Sequence, residues 1–201
     1  MFTAVALLAL VLSGCSAPAD STEPAPVVSV EPAKPSPSST DGQRKENDHG
    51  NLVKEINQVA SIGAETHADS SLKFKVTSIE MHDCPAFPDM KPANGHMIAV
   101  ALEIQTDKNM VDQLGTNSVS FDSHYWKGYA SNGSRMNTVT SDKAYNCVQD
   151  RTELLPDSIG PGEKVEGLVI LDVATKSGTI AFSFPGQPNG WEWQYGKPSA
   201  V

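Results

Sequence analysis

The sequence has few cationic residues and no long hydrophobic run. Its 15 Lys and Arg face 24 Asp and Glu, which gives a net charge of −9 at neutral pH. Nucleic-acid binding depends on clustered cations along a phosphate backbone, so this charge balance argues against a nucleic-acid partner. The most apolar run, residues 2–12, has eleven residues, whereas a helix that crosses a bilayer needs about 20. That run has the length of the hydrophobic region of a signal peptide.

The sequence also lacks the short motifs by which many enzymes are recognised. There is no Gly-x-Ser-x-Gly around a nucleophilic serine and no Asp-x-Asp-x-Asp-Gly calcium loop. The residues His49, His67 and His124 lie in polar stretches without the partners that a general base requires. We therefore expect no enzymatic activity, no catalytic residues and no cofactor.

Residues 12–15 read Leu-Ser-Gly-Cys at the end of the apolar run. This pattern resembles the bacterial lipobox, although no Lys or Arg precedes the run. The resemblance implies that residues 1–14 are a lipoprotein signal peptide and that Cys15 becomes a diacylglyceryl-modified N-terminus. Because two acyl chains hold a protein stably on a membrane, it predicts a membrane-anchored, extracytoplasmic protein. The alternative is an ordinary secretory signal with an unrelated cysteine.

Residues 15–57 follow as a predicted linker. Six of the 14 prolines fall between residues 16 and 50, among Ser, Thr and Ala. Such a composition offers too little apolar surface to offset the entropy of ordering, so we expect a disordered tether. Within it, the spacing of Leu52, Ile56 and Val59 is compatible with a short helix or with a docking strand.

From residue 58 to residue 195 the pattern predicts one β domain, followed by a tail at 196–201. Alternating apolar residues predict half-buried strands, and a change of phase near Thr77 predicts a β-bulge. The strand candidates lie at 72–81, 98–104, 119–121, 124–130, 135–140, 165–173, 180–184 and 191–195. Asn132-Gly133 predicts a type I′ hairpin turn, and Pro161-Gly162 predicts another turn. Many short strands with little helical periodicity favour an antiparallel β-sandwich, with a barrel as the alternative.

Three segments of this domain carry a resemblance to a known family. They are residues 62–80, the strand at 97–104, and the turn and strand at 161–173. Together they resemble a family of secreted Gram-positive lipoproteins with a domain of unknown function, similar to the mycobacterial immunoprotective extracellular antigen. The resemblance implies an immunoglobulin-like sandwich. It implies no catalytic residue.

Two cysteines remain once Cys15 is lipidated. Cys84 and Cys147 form an even pair outside the cytoplasm, which predicts a disulfide. The alternative is a reactive thiol.

Methionine and histidine residues suggest a second chemistry. His82, Met90 and His96 bring soft and imidazole ligands near one loop, as a copper-binding envelope lipoprotein would require. The alternative is structural: Met81 fits the core alternation, and the histidines would then be loop residues.

Aromatic residues provide the remaining candidate site. Trp191, Trp193 and Tyr195 alternate, so in a strand all three point to one face. That face either anchors a partner or closes the core of the sandwich. The sequence thus predicts a membrane-anchored, non-enzymatic module that binds an extracellular or envelope protein. A copper-binding lipoprotein and a structural envelope factor are the alternatives.

Overall fold

A computed structural model describes residues 46–63, 69–187 and 189–196. The predicted signal peptide, Cys15, most of the predicted tether and all but the first residue of the predicted tail lie outside these residues. The described part of the chain is an all-β sandwich of two four-stranded sheets, which confirms the predicted fold class. None of the helices in this part is long and apolar enough to cross a membrane.

The first sheet has the strand order β1-β8-β7-β5 and the second has the order β2-β3-β4-β6. The strands are β1 (Leu52–Val53), β2 (Ala60–Ile62), β3 (Leu72–Met81), β4 (His96–Thr106), β5 (Trp126–Ala130), β6 (Lys164–Val173), β7 (Gly178–Phe182) and β8 (Trp191–Tyr195). Two short α-helices are α1 (Met110–Leu114) and α2 (Asp142–Tyr145), and 3₁₀ turns cover Ser123–Tyr125 and Arg151–Glu153.

The strand order is immunoglobulin-like. Strands β3, β4 and β6 are neighbours in the order A-B-E of an immunoglobulin sheet, and β5, β7 and β8 follow the order C-F-G of the facing sheet. The chain crosses between the sheets after β1, β4, β5 and β6. Between β5 and β6, where strand D would lie, the structure shows α2 and a 3₁₀ turn.

The main core lies between the two sheets. Strand β4 contributes Ile98, Val100, Leu102 and Ile104 from one face, as its strict alternation predicts. The facing sheet contributes an aromatic cluster centred on Phe182, whose ring stacks on Phe121 at 4.5 Å between centroids. Other rings within this cluster belong to Phe74, Trp126, Phe184 and Trp191. Burial of these large apolar surfaces is the main force that holds the sheets together.

The predicted bulge in β3 is confirmed. The register against β4 shifts between Val76 and Ser78, so that Thr77 is the extra residue. The bulge changes which side chains face inward. Beyond it, Met81 is 52% exposed, and the prediction that Met81 belongs to the core is therefore wrong.

The predicted strand at 119–121 is not a strand. Val119 and Phe121 are buried, as their alternation predicts. However, only Val119 makes a ladder contact, through two backbone hydrogen bonds of 3.0 and 2.9 Å with Ile159. The chain then enters the 3₁₀ turn at Ser123, so that no longer ladder forms.

The turn at Asn132-Gly133 forms, but its geometry and its second strand differ from the prediction. Only Gly133 has a positive φ, of 82°, so the turn is type I followed by a left-handed glycine rather than type I′. The segment at 135–140 is not a strand, because Met136 and Val139 turn into the core above Gly128. A Cβ atom on Gly128 would lie 2.6 Å from the Met136 sulfur, so glycine leaves the room that this crossing needs.

The domain begins earlier than the predicted boundary at residue 58. Leu52 and Val53 form β1, which pairs in parallel with β8. Of the two alternatives for this segment, the docking strand is therefore the one observed. The sequence around it is polar, and hydrogen bonds of polar side chains hold it together with the packing of half-buried Leu52 against the main core.

A second, smaller core covers the outer face of the β3-β4-β6 sheet. Met97, Ala99 and Ile170 point outward from β4 and β6, and α2 packs on them. Cys84 and Cys147 join in a disulfide within this core, as predicted. The disulfide thus fastens the β3–β4 loop to the segment after α2, outside the space between the sheets. In antibody domains the conserved disulfide joins the two sheets.

Candidate functional site

A cavity of about 400 Å³ opens at one end of the sandwich. This is the end at which β3 begins and β7 finishes. Three parts of the chain line the cavity: the β2 and β3 strands, the segment from α1 to the 3₁₀ turn at Ser123–Tyr125, and the turn after β7. The volume falls within the range of small-molecule binding sites.

The floor of the cavity comes from the paired ends of β2 and β3. Ile62 and Leu72 are register partners, and both line the cavity. The chain leaves β2 at Gly63, whose φ is 103°. A Cβ atom there would collide with the Ser71 hydroxyl, which in turn donates a hydrogen bond to Gln113 of α1. Glycine therefore allows β2 and the α1 region to approach closely at this edge of the cavity.

One wall is a hydroxyl-rich segment that follows α1. Val119 fixes this segment through its contact with Ile159. Two hydroxyls are used locally: Thr116 Oγ1 donates to the Ser118 carbonyl at 2.8 Å, and Ser120 Oγ accepts from the Asp122 backbone N–H at 3.2 Å. Ser118 lines the same cavity, and its hydroxyl has no hydrogen-bond partner among the described residues.

Aromatic rings close the other side of the cavity. Tyr125 ends a 3₁₀ turn that Asp122 caps by accepting a hydrogen bond of 2.8 Å from the His124 backbone N–H. Phe184 lies just after β7, where it packs edge-on against Phe121 and Phe182. Both Tyr125 and Phe184 are half-buried, so part of each side chain remains available to a ligand.

The described lining of the cavity is amphipathic and carries no formal charge. Its apolar surface comes from Ile62, Leu72, Leu114, Val119, Phe184 and Pro185, and its polar groups come from Thr116, Ser118, Ser120, Tyr125 and Gln187. No Asp, Glu, Lys, Arg, His or Cys occurs among these described lining residues. Such a lining suits binding of an uncharged molecule better than proton transfer.

The aromatic residues singled out in the sequence do not form an exposed binding face. Trp191, Trp193 and Tyr195 lie on β8 with one orientation, as predicted, but all three are buried. They point between the sheets, where Trp191 and Trp193 pack edge-on or tilted against Phe74. The alternative, that this face closes the core, is the correct one.

The residues of the predicted metal loop lie at the opposite end of the second sheet. His82 follows β3, Met90 lies 41% exposed in the connecting loop, and His96 begins β4. His82 Nε2 is buried without a hydrogen-bond partner in the described part of the protein. No group of three or more His, Cys, Asp or Glu among the described residues could hold a metal ion. The copper site stays a prediction that a Cu(I) competition titration tests.

Sequence reasoning missed a second polar site, on the outer face of the first sheet. Glu192 of β8 is 5% exposed and accepts hydrogen bonds of 3.0 Å from Asn51 and from His49. The His49 ring also stacks on Tyr129, with 3.8 Å between centroids. The only signal in the sequence was a charged residue between Trp191 and Trp193. This cluster fastens the segment at 46–51 to the sheet.

Hydrogen bonding keeps Glu192 ionised. Burial by itself raises the pKa of its carboxyl, but hydrogen bonds from Asn51, Asn47, His49 and Thr179 outweigh burial and hold the pKa below the usual value of 4.5. A carboxyl whose pKa is lower in the folded state stabilises the fold above its unfolded pKa. That stabilisation is lost as the pH falls through the folded pKa.

We expect Glu192→Gln to lower the free energy of unfolding by about 2 kcal/mol at pH 7, because buried donors lose a charged acceptor. The difference from the wild type should shrink as the pH falls from about 4.5 toward the lower pKa of the folded carboxyl, because the unfolded chain then takes up a proton before the folded protein does. Urea unfolding at pH 7 and at pH 3.5 measures both effects. The matched control is Glu166→Gln, because the side chain of Glu166 on β6 is exposed. This change should alter the free energy of unfolding by less than about 0.5 kcal/mol. A difference that is constant with pH would contradict this role.

The fold and the cavity define this chain as an immunoglobulin-like sandwich with a ligand-sized opening at one end. No family model matches the chain, and no curated protein matches it. Among solved structures, it is similar to a candidate lipoprotein of Bacillus subtilis, with a TM-score of 0.43 and 13% sequence identity. The similarity covers 73% of this chain and 41% of that protein, so this chain spans about two fifths of its length.

Proposed function

We propose that this protein is a membrane-anchored, extracytoplasmic lipoprotein whose sandwich domain binds a ligand of the cell envelope without catalysis. The cavity of about 400 Å³ at the end of the sandwich is the observation that carries the binding role. It combines a size suited to a small ligand with polar side chains, those of Ser118, Tyr125 and Gln187, that have no hydrogen-bond partner among the described residues.

Two features support the location. The sequence Leu12-Ser13-Gly14-Cys15 supplies the lipidation signal at the end of a hydrophobic run too short to span a bilayer. The bonded pair Cys84 and Cys147 suits an oxidising compartment, because cytoplasmic thiols are kept reduced. Anchor and disulfide thus point to the same side of the membrane.

The lining of the cavity supports binding rather than reaction. General acid–base catalysis uses His, Asp, Glu, Lys, Cys or Tyr within reach of the substrate. Of these, the described lining contains Tyr125 alone. The Tyr125 hydroxyl can donate and accept hydrogen bonds to a ligand there.

Kinship with the secreted Gram-positive lipoprotein family is part of the same proposal. The segments that resemble that family form β3 with its bulge, β4, and the turn that leads into β6. These elements build the second sheet. The resemblance therefore concerns the fold and identifies no ligand or partner.

Metabolic labelling with an alkyne fatty acid tests the anchor. The wild type should carry the label in the membrane fraction, and Cys15→Ser should carry none, because the sulfur that accepts the diacylglyceryl group is absent. Cys84→Ser is the matched control and should keep the label, since Cys84 forms the disulfide. An unlabelled wild type, or label that persists on Cys15→Ser, would exclude the lipoprotein assignment.

A further inference from the structure

The chemistry of the end cavity restricts its ligand to one class. Resting on the proposed binding role, we infer that the cavity takes an uncharged saccharide of one or two rings. The inference follows from four properties of the lining: its charge, its free polar groups, its aromatic rings and its size.

The described lining residues carry no formal charge, which disfavours ionic ligands. A carboxylate, phosphate or ammonium group that enters such a cavity loses its hydration and gains no countercharge. The free energy needed to desolvate a charged group is far larger than that needed to desolvate a neutral polar group. The ligand is therefore neutral, even though the protein as a whole carries a net charge of −9.

Free polar groups exclude a simple hydrocarbon. Ser118, Tyr125 and Gln187 line the cavity, and the polar groups of their side chains have no hydrogen-bond partner within the described chain. An acyl chain placed against them would leave these groups without water and without a partner, and such a loss is unfavourable for each group. A ligand with several hydroxyls satisfies them, because each sugar hydroxyl both donates and accepts.

The aromatic residues of the lining favour a ligand that contains a sugar ring. A pyranose ring carries polar hydroxyls around its edge and C–H groups on its faces. Phe184 and Tyr125 offer half-buried aromatic surface to such a face, while Ser118 and Gln187 lie at the same cavity to meet the edge. The aliphatic floor of Ile62 and Leu72 extends the apolar surface. An amphipathic lining of this kind matches an amphipathic ligand.

The volume sets the length of the ligand. A cavity of about 400 Å³ lies near the lower end of the range for small-molecule sites, with room for about two sugar rings. A longer glycan would have to extend out of the opening.

Calorimetric titration of the lipidated full chain in nanodiscs tests this inference, with empty nanodiscs as the blank. The neutral probes are maltose and N,N′-diacetylchitobiose, and the competitors of other classes are digalacturonate and palmitate. At least one neutral disaccharide should bind saturably with a dissociation constant between micromolar and millimolar, and digalacturonate should bind at least tenfold more weakly.

Variants assign the binding to the cavity. Tyr125→Phe and Ser118→Ala should each weaken disaccharide binding by about three- to tenfold, because each removes one hydrogen bond. The matched control Tyr145→Phe removes a phenol that is 68% exposed and does not line the cavity, so its affinity should equal that of the wild type. Unchanged melting temperatures show that the variants are folded.

The outcomes separate this inference from the proposed function. Saturable binding of palmitate or digalacturonate alone would overturn the saccharide assignment and keep a binding module. Failure of both neutral disaccharides, or unchanged affinity in Tyr125→Phe and Ser118→Ala, would also overturn the saccharide assignment. The anchor is judged separately by the fatty-acid label on Cys15.

Discussion

Replacing Cys84 and Cys147 together by serine should lower the free energy of unfolding by about 4 kcal/mol. The disulfide spans a sequence separation of 63 residues, so it removes a large amount of chain entropy from the unfolded state. For a domain of this size, each kcal/mol shifts Tm by about 3 °C. The double variant should therefore melt on the order of 10 °C below the wild type in a calorimetric scan.

Dithiothreitol provides the matched control for this prediction. Reduction should bring the melting temperature of the wild type down to that of the double variant, and it should leave the double variant unchanged. If reduction leaves the melting temperature of the wild type unchanged, or if the double variant is as stable as the wild type, the disulfide does not stabilise the domain.

Removal of the disulfide should destabilise the protein first at the outer face of the second sheet. Lys143 on α2 is only 7% exposed, and α2 is fastened through Cys147. Without the disulfide, α2 should detach more often, and trypsin should cleave after Lys143 faster than it does in the oxidised wild type. Local opening of this kind requires less free energy than global unfolding.

The second large effect is expected at the centre of the aromatic core. Phe182→Ala should lower the free energy of unfolding by about 3 to 5 kcal/mol, because it removes buried surface and leaves a cavity. Phe182 is fully buried and packs against Phe121 of the segment before β5 and against Phe74 of the facing sheet, at 4.5 and 5.8 Å between centroids. Urea unfolding at neutral pH measures the change.

Phe87→Ala is the matched control, since it makes the same chemical change at a side chain that is 45% exposed. It should change the free energy of unfolding by less than about 0.5 kcal/mol. Equal losses at Phe182 and Phe87 would mean that the packing between the sheets is not the source of the stability.

The strands that run through the core were predictable from the sequence. In β4 the residues Ile98 to Ile104 alternate without interruption, and the alternation follows directly from the geometry of a half-buried strand. The phase change near Thr77 also identified the bulge, because one extra residue moves every later side chain to the other face.

Segments that depend on distant partners were less predictable. Val119 and Phe121 alternate as strand residues do, yet a strand also needs a neighbour along its whole length, and only Ile159 provides one contact. Likewise, Leu52 and Val53 pair with β8 because Glu192 holds the polar segment before them. Local composition contains neither fact, since both depend on residues far away in the chain.

The cavity was not predictable at all. Its lining comes from three parts of the chain between Ile62 and Gln187, and no short motif joins them. The cysteine pair, by contrast, followed from parity and compartment, without any knowledge of geometry.

The docking of residues 46–53 has a mechanical consequence. The chain enters the fold next to β1, which lies parallel to β8 and beside the hydrogen-bonded carboxylate of Glu192. A force applied to the chain ahead of Glu46 is therefore met first by these few bonds. These contacts, rather than the longer ladders of the two sheets, are the ones that such a force loads first.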